Sequence, residues 1–305
     1  MLGFWRLLSA MVLLWPALCG HAAKAQSRPP ASETAQPPSG SVGGLGDINL
    51  YPKRLVLTDR DRVGAIGLYN RSTATGEYEI TIDDKVMLPD GNIVELDALG
   101  SNSVPSDYKP ASAMIRYSPR MVELPGNESQ TVRIMPKLAP GMQPGEYRTH
   151  FTVTALPPLD SPDSINNLGG ARSNEGIGVQ ILPRFGISIP VILRIGQTSL
   201  HCALKELKLE KTSDTEAMLV ITLSREGNRS SFGDVVVSAP GVSKPVAVLR
   251  GVGIYTEVQS RTVQLPITLK REGSVLKSGS TLTVSYVDDD VKPGDVLAKQ
   301  DIRIP

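Results

Sequence analysis

"GIGVQILPRFGISIPVIL", residues 176–193, decides how the chain is read. Ile177, Val179 and Ile181 alternate with Gly178 and Gln180, the period of a half-buried β-strand. Pro183, Arg184 and Gly186 then interrupt the run, and apolar residues continue to Leu193. Proline has no N–H to give to a ladder, so it is confined to edge strands and bulges. The stretch therefore reads as an edge strand in two parts, divided at Pro183 and Arg184.

Outward from it, the pattern is of short strands separated by turns. Before it stand "RLVLTD", "VGAIGLYN", "GEYEITID", "QTVRIMP" and "YRTHFTVTALPP". Turns fall at "LPDGN" (88–92), "LPGNES" (124–129) and "APGMQPGE" (139–146), where Pro and Gly preset turn dihedrals. That spacing is the signature of an antiparallel sandwich. After Gly196 a second set follows: "LKELKLEKT", "AMLVITLSREG", "DVVVSAP", "AVLRGVGIYTE", "RTVQLPITL", "STLTVSYVDDD" and "VLAKQDIRIP". Only the segment around Leu200, Leu204 and Leu207 tempts toward helix, and the alternation Leu207–Leu209 favours a strand there. The expectation is an all-β protein of two sandwich domains, residues 47–196 and 197–305.

The first 25 residues are set aside as a signal peptide. Arg6 opens it, Leu7–Cys19 is a short apolar run, and Ala23-Lys24-Ala25 is a small-x-small cleavage site. Thirteen residues are too few to span a bilayer, and no later segment is long and apolar enough for a membrane helix. Residues 26–46, rich in Pro, Ser and Gly, read as a flexible tether. Without Arg6 and Lys24 the 32 basic residues fall to 30 against 31 acidic ones. That balance gives no electrostatic footprint for nucleic acid or an anionic membrane surface. Cys202 has no partner once Cys19 is removed, so the mature chain has no internal disulfide and depends on its cores.

Catalytic chemistry is thin. His150 and His201 are the only histidines after the signal, and adjacent His201 and Cys202 point to opposite faces of a strand. Two further metal ligands at a usual spacing are missing. The Ser-x-x-Lys matches at Ser106/Lys109 and Ser274/Lys277 lie in turns between strands, without the helix such enzymes place there. Asp288, Asp289 and Asp290 lack the spacing of a calcium loop and read as a solvated turn. The chain reads as a non-enzyme.

Several stretches together resemble one family. "LPGNESQTVRI" (124–134) is similar to the Leu-x-Pro-Gly-x-x-Gln-x-Val-Arg-Ile/Val signature of PapD-like periplasmic chaperones of the chaperone–usher pathway. "PGEYRTHFTVTALPP" (144–158) resembles their next strand, "YPKRLVL" (51–57) with "IGLYN" (66–70) their first two, and "VLRGVGIYTEVQSRTVQLP" (248–266) their carboxy-terminal domain. The resemblance implies two immunoglobulin-like sandwiches set at an angle, in the periplasm, with no cofactor. It implies that the protein stabilises secreted pilus or fimbrial subunits by lending them a β-strand and delivers them to an outer-membrane usher.

On this chain the lent strand would be Ile177, Val179 and Ile181, since strand addition draws specificity from alternate side chains in pockets. The 21 residues from Leu156 to Gly176 before it form a long polar loop, of the length that usually carries function or disorder. The family also holds the subunit's terminal carboxylate with two basic residues. Arg54 stands at the first place, while the lysine expected near Ser188 is missing and Arg184 is the candidate substitute. Self-association through edge strands stays open. So does a surface adhesin or pilus component built from the same sandwich, although residues 26–46 lack the apolar alternation such a subunit donates.

Overall fold

A computed structural model describes residues 36–43, 46–100, 104–157, 184–213, 215–271, 274–275 and 278–305. Ile177, Val179, Ile181 and Pro183 lie outside the described residues, as does the signal peptide. Among the described residues the regular structure is strand, with short 3-10 turns and no α-helix.

The first half carries β1 (Val42–Gly43), β2 (Ile48–Tyr51), β3 (Leu55–Thr58), β4 (Gly64–Asn70), β5 (Gly76–Asp83), β6 (Lys85–Met87), β7 (Ile93–Glu95), β8 (Ile115–Ser118), β9 (Met121–Leu124), β10 (Ser129–Pro136), β11 (Gly145–Ala155) and β12 (Gly186–Ile195). They build one sheet in the order β1-β2-β4-β10-β8 and another in the order β3-β12-β11-β5-β9. Alternation sends Leu50, Ile66, Leu68, Val132 and Ile134 inward from the first sheet. Leu55, Ile80, Phe151, Val153, Ile189 and Val191 point inward from the second, and together these residues close one core. Val42, inside the stretch read as a tether, packs on that core as β1 pairs with β2.

The second half carries β13 (Leu200–Lys211), β14 (Glu216–Gly227), β15 (Ser231–Ser238), β16 (Ala247–Ile254), β17 (Ser260–Thr268), β18 (Lys270–Arg271), β19 (Ser274–Val275), β20 (Thr281–Asp288) and β21 (Val296–Arg303). Its sheets run β13-β14-β17 and β16-β15-β20-β21 over a second core containing Leu219, Ile221, Val235, Ile254, Val284 and Tyr286. The segment with helical spacing is strand β13. Its register slips between Lys205 and Leu207, a bulge at Glu206, whose φ of 27° is positive. Gly196, with φ of 60°, turns the chain between the sandwiches, a conformation that glycine takes at no steric cost.

β12 explains the irregular stretch. It pairs with β11 along its whole length, from Gly186 opposite Thr154 to Ile195 opposite Gly145. On its other side β3 pairs with it in parallel, and only from Val191 opposite Leu55 to Arg194 opposite Thr58. Among the described residues no strand pairs with that side of Gly186–Pro190. Pro190, which has no N–H, is the last residue before the β3 ladder begins. Among the described residues the strand is interior at one end and unpaired on one side at the other.

Candidate functional site

The same alternation that fills the first core puts a polar set on the opposite face of β3, β11 and β12. Leu55 and Leu57 point into their own core, while Val56 packs on the core of the second sandwich, as do Ile192 of β12 and Met87 of β6. Between these apolar contacts lie charges. Most are buried, and a buried charge persists only when it is paired and hydrogen-bonded.

Arg148 of β11 is the most deeply buried of the arginines. Its Nη1 donates to Glu257 Oε2 at 3.0 Å and its Nη2 to Oε1 at 2.5 Å, a bidentate pair between the two sandwiches. The Arg148 side chain is 2% exposed and that of Glu257 is fully buried. The guanidinium also lies 3.6 Å from the Tyr255 ring centre, and Nη2 donates to the Lys85 carbonyl at 3.1 Å. Burial works against the Arg148 charge, but the Glu257 carboxylate outweighs it and raises the pKa. Beside it His150 is buried, edge-on to Tyr255 at 6.1 Å. Burial first, then Arg148 and Lys85, hold its pKa well below the ordinary histidine value, so the imidazole is neutral.

A second linkage joins Arg194 to both halves: its Nε donates to Glu146 Oε2 at 3.3 Å and its Nη2 to Asp290 Oδ2. Glu146 also accepts from the Ser230 amide at 3.2 Å and from its hydroxyl.

Arg54 forms the third. It leaves the chain between β2 and β3, and its Nη2 donates to Asp289 Oδ1 at 2.5 Å and to the Asp289 carbonyl. Its guanidinium carbon stands 4.5 Å from the Phe232 ring centre, and its Nε is 3.6 Å from Asp290 Oδ1. Lys53 pairs with the other oxygen of Asp289. An open groove lined by Ser39, Tyr51, Pro52, Lys53, Arg54 and Asp290 runs up to this cluster from outside. Since Leu55 stands opposite Val191, Arg54 lies where the open edge of β12 ends.

The acidic run is therefore not a solvated turn. Asp288 is buried and accepts from the amides of Asp290 and Lys292, at 3.0 and 2.8 Å. Asp289 binds Lys53 and Arg54, and Asp290 binds Arg194. Burial opposes the Asp289 charge, but the hydrogen bonds from Lys53 and Arg54 outweigh it and hold the carboxyl below its ordinary value. A carboxyl whose pKa is lower folded than unfolded stabilises the fold above the unfolded value, near pH ~4, and loses that contribution as pH falls through the folded one. The stability difference between the wild type and Asp289→Asn is expected to be full at neutral pH and to close below about pH 4. Denaturant unfolding across that range measures it.

Arg184 is placed elsewhere. It stands just before β12, half exposed, with Nη2 3.3 Å from Glu79 Oε2. It precedes Val191 by seven residues, about 23 Å along a strand at ~3.3 Å each, so the structure does not bring it together with Arg54. Ser188 instead meets Thr152, hydroxyl to hydroxyl at 3.1 Å. An exposed pair such as Arg184–Glu79 contributes about 0–1 kcal/mol. Arg184→Ala is expected to shift the unfolding midpoint negligibly, as thermal denaturation will show.

Cys202 is buried with its thiol pKa raised by burial, and His201 is exposed on the other face of β13. Among the described residues no group of three His, Cys, Asp or Glu side chains is spaced to hold a metal ion, and no helix is long and apolar enough to cross a membrane.

No family model matches the chain, and no curated protein matches its sequence. Solved structures that match over most of its length include chaperones. The YadV chaperone is 13% identical, with 85% of this chain and 100% of that one covered at a TM-score of 0.40. The CupB2 chaperone of Pseudomonas aeruginosa is 14% identical, with 83% and 97% covered at 0.38. A CsuC–CsuE chaperone–tip adhesion subunit pre-assembly complex from the archaic chaperone–usher Csu pili of Acinetobacter baumannii is 11% identical, with 84% and 97% covered at 0.40. Likeness at these values carries no argument about this chain, whose two-sandwich fold is read from its own sheets.

Proposed function

We propose that the chain is an exported, non-enzymatic chaperone of the periplasm that captures pilus or fimbrial subunits by strand addition and delivers them to an outer-membrane usher. The observation that carries this reading is β12: among the described residues no strand pairs with one side of Gly186–Pro190, and a Lys53–Arg54 carboxylate site lies where that edge ends. An unpaired edge is a template for another chain, and natural proteins normally cover or blunt one. Among the described residues no strand covers this edge, and Phe185 is exposed at its start. In a client complex Ile177, Val179 and Ile181 would extend it as three same-face anchors, each contributing roughly 1.5–3 kcal/mol on full burial. Arg54 would hold the client's terminal carboxylate. The sequence motifs that resemble PapD-like chaperones support the same reading.

The test is co-expression in a bacterial periplasm with subunits encoded beside the chain, followed by affinity purification. A soluble one-to-one complex, with the subunit degraded when the chain is omitted, is the expected result. A subunit that accumulates equally well alone, or a chain that recovers only its own copies, would overturn the reading.

A further inference from the structure

We propose that Asp289 is the resident carboxylate of the Lys53–Arg54 site, and that a client's terminal carboxylate enters by taking its place. The inference rests on the reading of Arg54 as a carboxylate anchor and adds how that site is held when empty of client.

Three features of the site make the exchange possible. The main chain at Asp289 is fixed: its amide donates to the Phe232 carbonyl at 3.1 Å, and the turn that follows is pinned by Asp288, which accepts from Asp290 and Lys292 through its carboxylate and from Gly294 through its carbonyl. Release of the Asp289 carboxylate therefore needs a side-chain rotation and no opening of the turn.

The guanidinium also stays in place when that carboxylate leaves. Arg54 Nη2 keeps the Asp289 carbonyl and Nε keeps Asp290 at 3.6 Å, over the Phe232 ring. Finally, the groove is lined by Lys53 and Arg54 themselves: the Lys53 side chain is 43% exposed, that of Asp289 19% and that of Arg54 11%, so a ligand meets the ammonium first and the guanidinium second. Asp290 cannot play the same part, because it is also committed to Arg194 deeper in the interface. Replacing one carboxylate by another keeps the charge balance of a part-buried site, so exchange avoids the penalty of an unpaired buried arginine.

The ligand class is a monovalent carboxylate on a chain end, delivered along the β12 edge. A site closed by its own side chain binds with an apparent affinity reduced by the fraction of time it is open. If Asp289 holds it closed nine-tenths of the time or more, removing that carboxylate tightens carboxylate binding about ten-fold or more.

The minimal probe is sodium acetate, titrated into the isotope-labelled full chain against sodium chloride at equal ionic strength, following the Arg54 Nε–Hε resonance. Asp289→Asn is expected to bind acetate at least ten-fold more tightly than the wild type, and Asp289→Ser is expected to do the same. In the unmodified chain, saturating acetate is expected to move the Asp289 carboxyl resonance while its amide, bonded to Phe232, stays in place. Equal or weaker binding in the folded variants, or a stationary Asp289 carboxyl in the wild type, overturns the proposal.

Subunit capture separates this from the parent reading. If Arg54→Glu abolishes co-purification but Asp289→Asn binds acetate no better, only the resident role fails. If acetate reports exchange but Arg54→Glu captures subunits normally, the site binds carboxylates and the chaperone role assigned to Arg54 fails.

Discussion

Glu257→Ala is expected to cost about 3–5 kcal/mol of stability, the loss that follows when one partner of a buried ion pair is removed. The size follows from what remains. Arg148 cannot shed its proton, since a guanidinium stays charged at any ordinary pH. It would be left at 2% exposure with one backbone carbonyl and the Tyr255 and Tyr108 rings as compensation. The amide of Met87, which donates to Glu257 Oε1 at 2.8 Å, loses its acceptor as well. Because Arg148 belongs to one sandwich and Glu257 to the other, the damage falls on the contact between them. Denaturant unfolding measures the loss, and faster proteolysis between Ile195 and Leu200 locates it. The paired substitution Arg148→Met with Glu257→Leu is expected to cost much less than Glu257→Ala alone, because it removes both charges together. Equal losses would mean that the pair is not what holds the two halves.

Arg54→Glu carries the second large effect, and it falls on binding. The substitution faces Asp289 and Asp290 with a third carboxylate and removes the group assigned to the client's chain end. Truncating one member of a buried charge pair across an interface costs about 2–5 kcal/mol. That corresponds to a client affinity lowered by roughly thirty-fold or more. Arg54→Lys keeps the charge but loses the planar fork that meets two acceptors at once, so it is expected to fall between the two. The readout is the yield of subunit recovered with each variant, compared with its own melting curve. Full recovery with a folded Arg54→Glu chain would remove Arg54 from the client site.

These effects show where the sequence was legible. Period-two alternation is local, so the strands could be read from it: "STLTVSYVDDD" becomes β20 with Leu282, Val284 and Tyr286 fully buried. The turn at "LPDGN" was visible too, but the β6–β7 hairpin it closes was not, because three-residue strands carry too little alternation to register. The interface was illegible for a different reason. Arg54 and Asp289 stand 235 residues apart, and Arg148 and Glu257 stand 109 apart. Nothing local distinguishes an aspartate that will meet an arginine from one that will face water, so the run Asp288–Asp290 read as a solvated turn. Arg184 shows the converse. Its nearness in sequence to the interrupted strand suggested a role in the cleft, and the β3–β12 register sets it far along the strand from Arg54.

Of residues 176–193, the part from Gly186 onward belongs to β12 of the home sheet, where the sequence reading began the part that stays. Pro183 lies outside the described residues; inside β12 a further border falls at Pro190, after which the β3 ladder begins.

The most direct measurement is co-purification of a subunit with the chain carrying Ile177→Asp, Val179→Asp and Ile181→Asp together. Three charges on the lent face cannot enter apolar pockets. The variant is expected to fold and melt like the wild type and to recover no subunit. A folded variant that still retains the subunit at the wild-type level would contradict capture by strand donation.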